Sequence, residues 1–129
     1  MNNAVAVATE YFDALAAKDY AKVAGFFADD LVWHQPGANQ FSGTHQGADA
    51  VNAMIGAMMG VSQGTFALSV RAPLMANGDL VAASVRFTGQ RDGATLNGDG
   101  IDLLRIADGK IVEAWLFTED QDAENAFWG

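Results

Sequence analysis

Beyond Gly64 the apolar residues of this chain change from helical spacing to two-residue alternation, and Asn77-Gly78, Asp92-Gly93 and Asp108-Gly109 punctuate the alternating half at regular intervals. Such dipeptides between alternating runs predict tight hairpins, because asparagine, aspartate and glycine tolerate the positive φ angles those turns require. Four long antiparallel strands follow, approximately Thr65–Met75, Leu80–Gln90, Thr95–Ala107 and Lys110–Thr118, with Pro73 marking an edge or a bulge in the first. They exceed the usual five or six residues, and Gly89, Gly98 and Gly100 lie in or near their middles, where glycine commonly marks a bend. A sharply curled sheet is the expectation.

The first half is helical. Val5, Ala8, Phe12 and Leu15 recur at the three-and-four spacing of one helix face. Asp19 is placed to cap a short second helix whose Val23, Phe26 and Phe27 share a face and which ends at Asp29-Asp30. Leu31–Gln35 reads as a strand stopped by Pro36-Gly37, and a polar loop leads to Gly47 and a third helix over Ala48–Met59. The tail Glu119–Phe127 is suited to add a helical turn. With 129 residues the chain is long enough for one core and too short for two ordinary ones. Helices followed by a meander indicate a single α+β domain over 1–129, a cone whose curled sheet and covering helices leave a pocket between them, the alternative being a fully packed core.

Several function classes are disfavoured by composition. No apolar run approaches the roughly 20 residues that span a bilayer. Met1-Asn2-Asn3 places no positive charge ahead of an apolar stretch, so a soluble protein resident in the cytoplasm is expected. The absence of cysteine removes thiolate nucleophiles and thiolate metal sites. Seven basic against 16 acidic residues oppose nucleic-acid binding. His34 and His45 lie in different elements with no acid at ligand spacing, and no phosphate loop follows a strand, so no metal or cofactor is expected.

Alternation along the third long strand puts Leu96, Gly98, Gly100, Asp102, Leu104 and Ile106 on one face. If that face is concave, burial raises the pKa of Asp102 and leaves it a protonated donor near neutral pH; if it meets solvent or a partner, Asp102 is an ordinary carboxylate. Tyr11, beside Phe12 and four residues before Leu15, sits at the margin of the first helix's buried stripe, placed for packing or for a second inward donor. Trp33 and Gln35 share one side of their strand and His34 takes the other, unless a bulge near Pro36 rotates the end. His34 is the candidate for moving a proton near neutral pH, or a structural histidine, and His45 is expected to be exposed. The remaining expected pocket walls are Phe12, Met54, Met58, Phe87, Leu104 and Trp115. A two-residue loop at Asp108-Gly109 would bring Glu113 and Trp115 to the face of Asp102, and a three-residue loop Ala114, Leu116 and Thr118.

Five strings in this order, Tyr11-Phe12-Asp13-Ala14-Leu15 with Asp19, Phe27-Ala28-Asp29-Asp30, Trp33-His34-Gln35-Pro36-Gly37, Ser42-Gly43-Thr44 with Gly47, and Asp108-Gly109-Lys110-Ile111-Val112-Glu113, run through nearly the whole chain. Together they resemble the SnoaL-like and ketosteroid-isomerase-like branch of the nuclear transport factor 2 superfamily. The resemblance implies that Tyr11 is an oxyanion-binding tyrosine and Asp102 its protonated partner; ketosteroid isomerase is itself the worked example of such an acid. Gln35 departs from the pattern, standing before Pro36 where the isomerases carry an aspartate base, and an amide takes no proton from carbon at neutral pH.

Three roles follow from the resemblance. One is a cyclisation or isomerisation of a carbonyl compound, one the binding of a small apolar metabolite without chemistry, and one protein interaction through the outer sheet face. Epoxide hydrolysis of the limonene type is less well matched, since no acid stands two residues after Arg86. A homodimer through the outer face is also implied, and Ile101 and Leu103, which make that face apolar, permit it.

Overall fold

A computed structural model describes residues 3–129; the reading of Met1 and Asn2 falls outside them. Helix α1 (Asn3–Ala16) and α2 (Tyr20–Ala24) precede strands β1 (Phe27–Gln35) and β2 (Gly43–Gln46) and helix α3 (Ala48–Val61). Strands β3 (Ala67–Val70), β4 (Met75–Asn77), β5 (Leu80–Arg91), β6 (Ala94–Ala107) and β7 (Lys110–Thr118) follow, and α4 (Gln121–Trp128) closes the chain. The strands form one open sheet in the order β2-β1-β7-β6-β5-β3, with β4 also on β5. All neighbours are antiparallel except β1 and β7, which run parallel. This is the α+β roll expected from the pattern.

Alternation decides which sheet face the helices cover. On β5, Val81, Ala83, Val85 and Phe87 are buried, and on β6, Leu96, Asp102, Leu104 and Ile106 are buried. Against this face α1 packs Ala4, Ala8, Tyr11 and Phe12, and α3 contributes Val51, Met54 and Met58. Two glycines in β6 are required by close approach. A Cβ on Gly100 would press into the Phe117 carbonyl oxygen, and one on Gly98 would lie 2.7 Å from the Phe87 ring. Among the described residues no helix is long and apolar enough to cross a membrane.

Several expected boundaries move. Asp19 does cap α2, accepting from the Lys22 N–H at 3.2 Å, but the helix ends at Ala24, and Phe27 is buried at the start of a strand already formed four residues before Leu31. The expected strand Thr65–Met75 is split into β3 and β4 around Pro73, whose missing N–H cannot join a ladder. The polar loop contains a strand, β2, paired with the end of β1.

The last hairpin combines parts of both expected registers. Ala107 pairs with Lys110 across the two-residue Asp108-Gly109 loop, whose φ angles are +53° and +75°. Ile106 then faces Ile111 but Arg105 faces Glu113, so Val112 is an extra, bulged residue. Past the bulge Asp102 faces Leu116 and Gly100 faces Thr118, the pairing expected of the longer loop. The tail forms a two-turn helix rather than a single turn, because Phe127 and Trp128 are both buried.

Candidate functional site

Between α1, α3, α4 and the concave sheet face lies a predominantly apolar cavity of about 80 Å³. Its walls include Met54, Ile55, Met58 and Met59 from α3, Phe66, Leu68 and Phe87 from one side of the sheet, and Leu116 from β7. Methionine chains are unbranched and adaptable, so this wall can yield to ligands of different outline. An engineered apolar cavity of about 150 Å³ binds benzene, so a single small ring is the scale of molecule that suits this space with modest movement of the methionines.

Polar groups enter that lining from six elements: Tyr11 from α1, Tyr20 from α2, Trp33 and Gln35 from β1, Asp102 from β6, Thr118 from β7 and Glu124 from α4. Asp102 is 4% exposed, and its burial, with the Glu124 carboxyl nearby, raises its pKa from 3.8 to about 7. Burial and the charge of Asp102 push the Tyr11 hydroxyl well above its usual range. Tyr11 therefore carries its proton near neutral pH, and Asp102 keeps its own up to about pH 7, so both can donate to an oxygen there. The concave alternative for Asp102 and the inward alternative for Tyr11 are the ones realised.

Glu124 is a site residue missed in the sequence. It lies on the same helix face as Phe127 and Trp128, three and four residues on, and all three are buried. Burial raises its pKa, opposed by the Thr118 hydroxyl and the Trp128 indole N–H, neither of which has a hydrogen bond of ordinary geometry. The ion pairs among the described residues, His34–Glu113, Arg71–Asp99, Arg86–Asp99 and Arg105–Asp79, lie away from this carboxyl pair.

Gln35 is held by its neighbour. The Trp33 indole N–H donates to Gln35 Oε1 at 2.9 Å. Since indole nitrogen only donates, the accepting atom must be the amide oxygen, and the amide NH₂ remains as the donor available to the cavity.

Met54, Met58 and Phe87 line the cavity as expected, but four predicted residues do not. His34 points to the outer sheet face, where its Nε2 lies 2.7 Å from Glu113 Oε2 and its ring stacks on Trp115 at 5.7 Å. Trp115 is thereby outside as well, its ring lying 5.9 Å from the Arg105 guanidinium. Strand alternation separates both from Trp33 and Gln35, and no bulge at Pro36 reverses it. Phe12 packs edge-on against Tyr11, and Leu104 is fully buried in the core behind the cavity. His45, expected to be exposed, is half-buried with Nε2 2.7 Å from the Phe41 carbonyl.

The sequence model of the SnoaL-like domain matches residues 8–114. An uncharacterized protein of Mycobacterium tuberculosis is 29% identical over 117 residues, covering 91% of this chain and 89% of its own length. A Xanthomonas campestris protein of unknown function with a cystatin-like fold is 50% identical, with a TM-score of 0.94 over 100% of this chain and 99% of the other. An NTF2-like protein of Burkholderia xenovorans shares the fold at 21% identity, with a TM-score of 0.76 over 98% of this chain and 96% of that one.

Proposed function

This chain belongs to the SnoaL-like domain family, within the nuclear transport factor 2 superfamily, and from that premise we propose that its cavity takes a small apolar molecule bearing an enolisable carbonyl. Tyr11 and Asp102 hold the carbonyl oxygen as negative charge develops on it, in isomerase-like or polyketide-cyclase-like chemistry that needs no cofactor. The observation that carries this reading is Asp102 itself, a carboxyl group 4% exposed and facing an apolar cavity shared with Tyr11. A fixed donor in a dry site costs no reorganisation as charge develops, and one such donor is worth about 10²–10³ in rate.

The direct test compares binding of 4-nitrophenolate, a flat anionic-oxygen mimic of an enolate, with cyclohex-2-enone, a neutral ketone of similar size. The phenolate is expected to bind at least about tenfold more tightly, about 1.4 kcal/mol. Asp102→Asn and Tyr11→Phe should each narrow the gap. Equal affinity for the two ligands would favour a pocket that binds an apolar metabolite and does no chemistry.

The proposal includes a homodimer through the outer sheet face, supported by the exposed Ile101 and Phe117 on adjacent strands. Sedimentation at micromolar concentration should give a dimer, and a monomer alone would oppose it.

A further inference from the structure

Gln35 leaves the oxygen-binding pair without a carboxylate base on β1, yet the cavity receives a second carboxyl group from α4. We propose that Glu124 is the proton-transfer residue of this site, removing a proton from the carbon next to the ligand's carbonyl while Asp102 keeps its own proton and binds the oxygen. The inference rests on the function proposed above and supplies the base which that reading lacks.

Placement is the first argument. Glu124 stands on the buried face of α4 together with Phe127 and Trp128, so the packing that seats the helix also directs the acid inward. The helix is fixed at both ends. The Asp120 carboxylate accepts from the Ala123 N–H at 3.1 Å, Arg91 donates to the Phe127 carbonyl at 2.8 Å, and Gln40 donates to the Trp128 carbonyl at 2.7 Å. Asn125, the next residue, accepts from the Ala38 N–H at 2.9 Å and so ties α4 to the loop after β1. A base held by a rigid support meets the positional demand of proton transfer from carbon.

Division of labour is the second. The titratable groups that line the cavity with Glu124 are Asp102 on β6, Tyr11 on α1 and Tyr20 on α2, and among the described residues no cation pairs with either acid. Two nearby carboxyl groups disfavour double ionisation, so one proton is retained where burial is deeper. Asp102 is the more completely buried, whereas Thr118 and Trp128 favour the charged form of Glu124. Below about pH 7 the singly protonated pair therefore favours the proton on Asp102 and the charge on Glu124.

With cyclohex-3-enone as a probe the step balances. The Glu124 carboxylate takes a proton from C2, and the C–H electron pair becomes the new C–C double bond. The carbonyl π pair moves to oxygen, where Tyr11 and Asp102 donate to it. Return of the proton from Glu124 to C2 or C4 regenerates the carboxylate and gives the starting or the conjugated ketone.

NMR in D₂O, following loss of the C2 proton and arrival of deuterium, reads this step without knowledge of the natural substrate. Glu124→Gln should slow exchange by about 100-fold or more. It should leave 4-nitrophenolate binding intact or tighter, since a neighbouring negative charge is gone, whereas a merely structural role would lose both. Glu124→Asp, which keeps a shorter carboxylate, should retain an intermediate rate. Exchange by Glu124→Gln within threefold of the unaltered protein overturns the assignment, as does an unaltered protein no faster than buffer. If the unaltered protein still prefers the phenolate in either case, the oxygen-binding reading stands and only the base is wrong; if the preference is absent too, both fall.

Discussion

The Trp33 indole N–H and Gln35 Oε1 are 2.9 Å apart, two residues along one strand and both side chains buried. The bond orients an amide in a place where a freely rotating one could present either end to the cavity. Gln35→Leu removes the acceptor and strands a buried N–H, at an expected cost of about 1–3 kcal/mol in urea unfolding. Gln35→Glu keeps an acceptor for Trp33 but adds a charge beside two existing acids, so its stability should approach that of the unaltered protein only at low pH.

Asp102 makes stability pH-dependent with a defined sign. The folded chain holds this proton up to about pH 7, and the unfolded chain releases it near 3.8. Between those values the folded state binds more protons, so stability falls as pH rises, and Glu124 acts in the same direction. Asp102→Asn removes the Asp102 contribution, on the order of 4 kcal/mol once pH exceeds 7. Urea titrations at pH 4 and pH 8 should show the Asn variant gaining on the unaltered protein at the higher pH; a gap that is constant or widens the other way would contradict this.

Two neighbouring glycines predict different outcomes. An added methyl at Gly100 meets the Phe117 backbone carbonyl, which cannot turn aside, whereas one at Gly98 meets the edge of the Phe87 ring. Gly100→Ala should therefore destabilise by about 2 kcal/mol or more, in the range of overpacked cores. Gly98→Ala pushes on a ring that lines the cavity, so it should alter ligand affinity more than stability. Thermal unfolding and 4-nitrophenolate titration of both variants separate the two effects.

His34 offers a test of which sheet face matters. Its side chain meets Glu113, Trp115 and the Thr44 hydroxyl on the outer face. His34→Ala should leave 4-nitrophenolate affinity within about twofold, and because its contact with Glu113 is partly exposed, the loss should cost no more than about 1 kcal/mol. A tenfold loss of affinity would mean that the outer face reaches the ligand.

How much of this was legible along the chain follows from the range of the interactions involved. Asp102 and Tyr11 could be placed because strand alternation and helical spacing are local, and Asp108-Gly109 declared its turn through residues that accept positive φ. The bulge at Val112 could not be placed, since it depends on the fit of β7 to both β6 and β1. Alternation already separated His34 from Trp33 and Gln35, and the structure keeps them apart. Glu124 was the main loss. An eight-residue helix is marginal alone, and α4 exists because Trp128, packed edge-on against Phe127, finds Phe41 and Phe66, contacts far away in sequence. The local signal was present nonetheless, in a capping Asp120 and an acid three and four residues ahead of two aromatics.

The oxygen-binding account stands on a carboxylic acid in the cavity that keeps its proton far above the ordinary aspartate range, up to about pH 7. Carbon-13 NMR of aspartate-labelled protein, with the Asp102 carboxyl signal identified by its disappearance in Asp102→Asn, reads that protonation directly. The account predicts a titration midpoint near 7 for this signal. A midpoint near 4, the ordinary aspartate value, would contradict it.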